Sequence, residues 1–319
     1  MKTLEELGNY YNTALMPELI KLEEQRKQVL KKVCLVNGVV LVVFIAILIL
    51  LFVIKVPIQA IFFGGFIAAA VIVGIYKWLT SAYVKNFKSG VIENIIHFID
   101  NHLNYARDAY IPSNDFMKSK IFNRQPDRHR GDDYVTGLVG KTKIEFSEIH
   151  SEYETRDSKG RSTWHTIFKG LFFVGDFNKH FKSVTVVLPD TAERLFGGFG
   201  NFLQKMNASR GQLIKLEDPV FEKEFVVYGD DQVEARYILS TSLMKRIVDF
   251  KKKTGKKVFL SFVGSKIYVA IAFAKDLFEP KVFQTLIDFS QVVEYYQDLE
   301  LVIGLVEDLN LNLRIWTKE

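Results

Sequence analysis

Two apolar runs separated by a single lysine dominate the pattern of this chain. Val33–Ile54 and Val56–Tyr76 contain no charged residue, and only Lys55 lies between them. As helices rising about 1.5 Å per residue, each is long enough to cross a hydrocarbon core of about 30 Å. Backbone polar groups in lipid must be satisfied within the segment that carries them, so the pattern predicts a transmembrane helical hairpin with a tight turn near Pro57. Ahead of it, residues 1–32 predict amphipathic helix, with Leu4, Leu7, Tyr11 and Ala14 along one face, and Pro17 marking a break and the first turn of a second helix. Behind it, Val84, Phe87, Val91, Ile95, Ile99 and Leu103 recur at helical spacing and predict a helical stalk over 77–110.

From residue 111 the pattern changes. Ser119–Asp133 is polar and Arg-rich and reads as a linker or exposed loop. Lys143–Thr155 and Thr163–Val174 predict a hairpin about Ser158-Lys159-Gly160-Arg161, and Lys182–Leu188, Gln212–Leu216 and Glu224–Tyr228 predict shorter strands. Thr191–Met206 reads as a helix weakened by Gly197, Gly198 and Gly200. Asp231 and Glu234 have capping-box spacing, and Ser240–Lys253 predicts a further helix. Val258, Leu260 and Phe262 alternate into a Gly264-Ser265 turn, and Ile267, Val269, Ile271 and Phe273 alternate out of it. Pro280 is expected to open a long helix reaching Leu309, and Leu311–Trp316 is a possible last strand. The fold expected for 111–319 is a cytoplasmic α+β domain with a largely antiparallel sheet, attached to the hairpin.

Charge refines this picture. Residues 1–89 hold ten Lys/Arg against five Asp/Glu, which accounts for the whole net charge of +5; the rest of the chain is balanced. A membrane-proximal basic excess suits anionic lipid rather than nucleic acid. Arg26, Lys27, Lys31 and Lys32 precede the first run, and Lys77, Lys85 and Lys88 follow the second. This asymmetry places both termini in the cytoplasm, with the protein in the inner membrane. The run Lys251-Lys252-Lys253-Thr254-Gly255-Lys256-Lys257 suits a helix C-terminus followed by a glycine turn. Together with Lys31 and Lys32 it is also the candidate surface for anionic headgroups. Small residues pair at Gly65/Ala69 and Ala70/Gly74, which suits packing within the hairpin or a homo-oligomer contact.

Catalytic signatures are weak. Gly137-Leu138-Val139-Gly140-Lys141-Thr142 fails the phosphate-loop spacing, because Val135 stands where a glycine is required. Glu93, His97 and Asp100 do not share one helix face as metal ligands would. The lone Cys34 excludes an internal disulfide and a cysteine-based zinc site. No catalytic, cofactor or metal residues are assigned.

Several passages together resemble a known family: Ser119-Lys120-Ile121-Phe122, Gly131-Asp132-Asp133-Tyr134, Phe168-Lys169-Gly170-Leu171-Phe172, Asp218–Tyr228, Glu234–Leu239 and Leu311–Trp316. The chain resembles an uncharacterised family of bacterial two-span membrane proteins, a domain of unknown function sometimes mislabelled galanin-like. The resemblance implies a bacterial membrane location and supplies no activity or site residues. The leading expectation is an interaction or scaffold module that binds a protein or peptide partner. Alternatives are a membrane-associated hydrolase or lipid-modifying enzyme, which would gather Asp132, Asp133, His165 or His180, and an oligomeric channel or transporter component. Tags on the two termini are expected to report the same membrane side, and carbonate washing is expected to leave the chain in the membrane fraction; opposite sides or release would refute the hairpin.

Overall fold

The computed structural model describes residues 2–55, 58–190 and 211–312. Two compact units emerge: residues 2–95 with 278–295, and residues 96–277 with 296–312.

The N-terminal unit is helical. Thr3 caps α1 (Leu4–Tyr10), its hydroxyl accepting from the Glu6 N–H while the Glu6 carboxylate accepts from the Thr3 N–H. The chain then runs through a π turn, Tyr11–Leu15, straight into α2 (Met16–Val53). Pro17 therefore does not break the helix as the sequence suggested. It lacks an N–H to donate, and the wider turn just ahead, with the Met16 N–H on the Tyr11 carbonyl, takes up the mismatch. The second long helix, α3 (Ile58–Phe87), is followed by another π turn, Lys88–Ile92, and by α4 (Glu93–Ile99).

The two long helices run antiparallel. The Asn86 side-chain amide donates to the Gln25 side-chain oxygen, Oε1, at 3.0 Å, and a Cβ at Gly65 would stand 4.0 Å from the Phe44 ring. Gly65 thus serves close packing within the pair. Both helices are long and apolar enough to cross a membrane, and most of each apolar window is uncovered by protein; Val42 is 67% exposed and Phe66 76%. The turn expected at Pro57 lies outside the described residues.

Residues 278–295 close this unit. The expectation of helix from Pro280 fails here: 278–288 is a non-helical strap, and α9 (Phe289–Ile303) begins only after it. The strap follows a route set by two buried charges on α2. Arg26 grips Glu23 through two bonds, Nε to Oε2 at 2.8 Å and Nη2 to Oε1 at 2.7 Å. The pair then takes one backbone group each from the strap: Arg26 Nη1 donates to the Val282 carbonyl at 2.9 Å, and the Leu286 N–H donates to Glu23 at 3.0 Å. Bonding to Arg26 holds the Glu23 carboxyl down at about 2, against the opposing effect of burial. Val282 and Leu286 are both buried, presented by the strap rather than by a helix.

The second unit is built on a nine-stranded sheet among the described residues, antiparallel throughout. Its strands are β1 (Leu103–Ala106), β2 (Arg128–Val139), β3 (Thr142–Arg156), β4 (Ser162–Asp176), β5 (Thr185–Pro189), β6 (Gln212–Ile214), β7 (Phe225–Gly229), β8 (Val258–Val263) and β9 (Lys266–Ala272). They lie in the order β1-β2-β3-β4-β9-β8-β5-β7-β6. Four short helices and one longer one complete the unit: α5 (Ser113–Lys118), α6 (Pro219–Glu224), α7 (Gln232–Ile238), α8 (Thr241–Thr254) and α10 (Leu305–Asp308). The α+β expectation holds. Central strands β4, β5, β8 and β9 are buried on both faces, which explains their near-continuous apolar runs.

Two local expectations are corrected. Leu103 is the first residue of β1, not the end of a stalk helix, because the Asp100 carboxylate accepts from the His102 N–H and turns the chain toward pairing with Gly137. Ser119–Asp133 is not an exposed linker. Ile121 and Phe122 are buried with Ile111 and Phe116 over one sheet face, and Phe116 stacks on Phe122 at 4.9 Å, which in turn meets Phe168 at 5.3 Å. The expected 191–206 helix and the expected strand from residue 313 onward lie outside the described residues.

Removing one member of a buried ion pair leaves the other without a partner, at a cost of about 3–5 kcal/mol. Arg26→Ala is expected to lower the thermal midpoint of the detergent-solubilised chain strongly, and a joint Glu23→Leu/Arg26→Met change to lower it less. A loss under about 1 kcal/mol for Arg26→Ala would equate the pair with a surface ion pair and refute this role.

Candidate functional site

Where α7 hands over to α8, a cleft of about 180 Å³ opens in the sheet-containing unit. Its floor is apolar, with Phe177, Ile238, Leu243, Leu309 and Leu311. Its polar wall comes from Lys179, Tyr237, Ser240, Ser242 and Arg246. The local sequence explains this placement. The Asp231 carboxylate caps α7 by accepting from the Val233 and Glu234 N–H groups, and Ser240 caps α8 by accepting from Leu243. Glu234 does not close the expected capping box. Its carboxylate instead accepts from the Lys182 N–H at 3.0 Å and the Ser183 N–H at 2.7 Å, which ties α7 to the segment carrying Lys179.

Lys179 Nζ lies 3.5 Å from the centroid of the Tyr237 ring, a cation–π contact. Burial holds its ammonium below the usual range, with Glu234 acting in the opposite sense. Arg246 reaches the Glu307 and Asp308 carbonyls only at 3.5 and 3.4 Å. Two cations over an apolar floor, with serine hydroxyls beside them, suit a ligand with an anionic head and an apolar body. Sequence reading missed this cleft, because Lys179, Tyr237 and Arg246 come from three separate segments and form no linear motif.

The basic run at the end of α8 is partly spent inside the fold. Lys251 pairs with Glu224 at 2.7 Å, and Lys253 pairs with Asp308 at 2.9 Å. Lys256 lies 5.2 Å from the Phe273 ring, and Lys252, Lys256 and Lys257 are exposed. Gly255, at φ +61°, supplies the left-handed turn that ends the helix. Lys31 and Lys32 are exposed on α2, in the other unit.

The residues named for a hydrolase do not converge. Asp132 pairs in register with Glu148 on β3, whereas His165 pairs with Tyr153, five residues further along. That is roughly 17 Å of strand. Asp133 is buried and accepts from the Tyr105 hydroxyl, while His165 stacks on Tyr153 at 4.9 Å. His180 lies in the loop beyond the other end of β4, roughly 35 Å of strand from His165. His129 is structural: its Nε2 donates to the Ile111 carbonyl at 2.9 Å and its Nδ1 accepts from the Ser151 hydroxyl at 2.8 Å. Gly140 and Lys141 form the β2–β3 turn, where the Asn312 side chain accepts from the Lys141 N–H at 2.9 Å; this is no phosphate cradle.

Residues 166–311 match the family model described as protein of unknown function (DUF3137). The match begins in β4 and takes in every residue lining the cleft, together with the passages Phe168–Phe172, Asp218–Tyr228 and Glu234–Leu239. Ser119–Phe122 and Gly131–Tyr134 fall before it. No curated protein matches the chain. The crystal structure of the mycobacterial trehalose monomycolate transport factor A, TtfA, is similar at 12% identity, over 68% of this chain and 93% of that one, with a TM-score of 0.33.

One buried acid stands out in the same unit. Glu148 is 6% exposed, and its carboxyl accepts from the Leu277 N–H at 2.8 Å. Burial pushes it up to about 8; the Leu277 bond opposes this, and nearby Asp132, Asp276 and Asp133 add to it. A carboxyl with a raised folded pKa favours the fold when protonated. Its contribution is therefore full below about pH 4.5 and is lost as pH rises to about 8. Glu148→Gln is expected to remove that loss, so that the variant gains thermal stability over wild type as pH rises from 5 to about 8. A wild-type-minus-variant difference that stays constant with pH would refute it.

Proposed function

We propose that this chain is a membrane-anchored binding module. The paired apolar helices hold it in the bilayer, with both termini in the cytoplasm, and the cleft beside α8 receives an acidic peptide segment of a partner protein. The observation that carries the reading is the cleft itself, which sets Lys179 and Arg246 over an apolar floor. Arg and Lys beside an apolar floor select a carboxylate followed by hydrophobic residues. The uncovered apolar helix faces support the anchor, since apolar surface on that scale is otherwise costly in water.

Basic residues supplement the anchor. Lys31 and Lys32 directly precede the first apolar run and face anionic headgroups, where each adds about 1 kcal/mol. Lys252, Lys256 and Lys257 form a second exposed basic surface of the same character. Lys251 and Lys253 contribute less, because each is already paired with a carboxylate.

A photo-crosslinking residue at position 237, in the full chain expressed in its native membrane, tests the cleft. One reproducible adduct is expected, lost on Lys179→Glu/Arg246→Glu and retained on Lys252→Glu, a charge reversal outside the cleft. An adduct pattern indifferent to the cleft substitutions would overturn the reading.

A further inference from the structure

The strap that closes the helical unit carries aromatic surface in an unusual place. Phe283 is 68% exposed, yet its ring lies parallel to that of Tyr76, with centroids 6.2 Å apart and planes 7° apart. Tyr76 is the last residue of the second apolar run, and Trp78, two residues on, is 78% exposed. Ile287 and Phe289 are 41% and 36% exposed on the same segment. Three of the strap's apolar residues, Phe278, Val282 and Leu286, are buried instead, so the outward set is not a failure to pack.

The antiparallel register fixes the level of this surface. Gln25 meets Asn86, and Phe44 meets Gly65, so the start of the first apolar run at Val33 lies level with the end of the second at Tyr76. Arg26, which holds the Val282 carbonyl, is seven residues before Val33, or about 10 Å along the helix. A headgroup layer is about 5–8 Å thick on each side of the hydrocarbon core. The strap backbone therefore sits at the outer edge of that layer, and Phe283 reaches from it to the hydrocarbon boundary. Aromatic rings concentrate at this depth because one part of the environment is apolar and the other wet. The strap has little freedom to leave: Arg26 and Glu23 hold two of its backbone groups, Lys88 pairs with Glu279 at 2.7 Å, and the Gln291 amide donates to the Thr285 carbonyl at 2.8 Å.

We propose that the strap, residues 278–288, is a third membrane contact, with Phe283 seated in lipid at the interface beside Tyr76 and Trp78. The occupant of this surface is the bilayer itself, continuous with the lipid around the two apolar helices. The inference rests on the anchoring reading above. A contact of this kind would make the strap, some two hundred residues downstream of the spans in sequence, sensitive to the interface around them.

The test uses the full chain with Cys34→Ser, reconstituted in phosphatidylcholine nanodiscs containing a minority of phosphatidylglycerol. An environment-sensitive dye is placed singly at Phe283→Cys, Ile287→Cys, Val43→Cys or Lys159→Cys. Position 43 lies in the first apolar run, and position 159 is exposed in the turn between β3 and β4 of the sheet-containing unit. Blue-shifted emission at 283 or 287, quenched by a nitroxide carried near the lipid headgroup and exceeding the quenching at 159, is expected and supports the contact. Water-like emission at both strap positions, with position 43 quenched by a deep nitroxide, overturns the contact and leaves the anchor standing. An unquenched label at 43 overturns the anchor, and the strap contact with it.

Discussion

A buried carboxylate and a buried guanidinium organise the helical unit. Neither Glu23 nor Arg26 could be withdrawn from water alone, and their mutual bonds leave carboxylate oxygen sites and guanidinium N–H groups still to be satisfied. The backbone of the strap supplies a partner to each side chain, through Leu286 and Val282. That requirement replaces the helix which the Pro280–Leu309 pattern favours locally. A continuous helix would have committed the Leu286 N–H and the Val282 carbonyl to its own ladder, leaving the buried charges without partners.

The sheet-containing unit obeys a different constraint. Its central strands are covered on both sides, and most polar groups inside are satisfied, the Thr185 hydroxyl in β5 being left without a partner. Ser147 accepts from the Ile111 N–H at 3.0 Å, and His129 links the Ile111 carbonyl to Ser151. Glu148 is the exception that keeps a titratable proton in the interior. The segment 111–122 is held in place by these few bonds and by stacked phenylalanines, so one sheet face is closed by the short helix α5 and its flanking turns. Gly170, at φ +145°, marks a very close approach within the sheet: a Cβ there would come 2.1 Å from the Ile271 carbonyl oxygen, as near as one at Gly131 would come to the Glu148 carbonyl oxygen.

Features with a local cause were legible in the sequence. The apolar runs, the Gly264-Ser265 turn, the Ser240 cap and the Gly255 helix stop each depend on neighbours within a few residues, and each is found. Features with a remote cause were not. Ser119–Asp133 looks solvated because its Arg and Asp residues outnumber Ile121 and Phe122, yet those two side chains decide where it goes. Leu103 continues a helical stripe in sequence but is claimed by a strand partner more than thirty residues away. The cleft is the extreme case, since Lys179, Tyr237 and Arg246 are brought together only once β4, α7 and α8 are in place. The basic run was visible at once, but not that two of its lysines are already spent.

The order in which the chain is made gives the strap a further significance. Glu23 and Arg26 leave the ribosome roughly 260 residues before Leu286, an interval of roughly 10–50 s at ordinary synthesis rates. Throughout that time the apolar helices are already available for insertion, while two charges beside them wait for backbone partners that have not been synthesised. Chains that end before residue 278 would therefore carry the Glu23–Arg26 pair without the two backbone groups that complete its bonding.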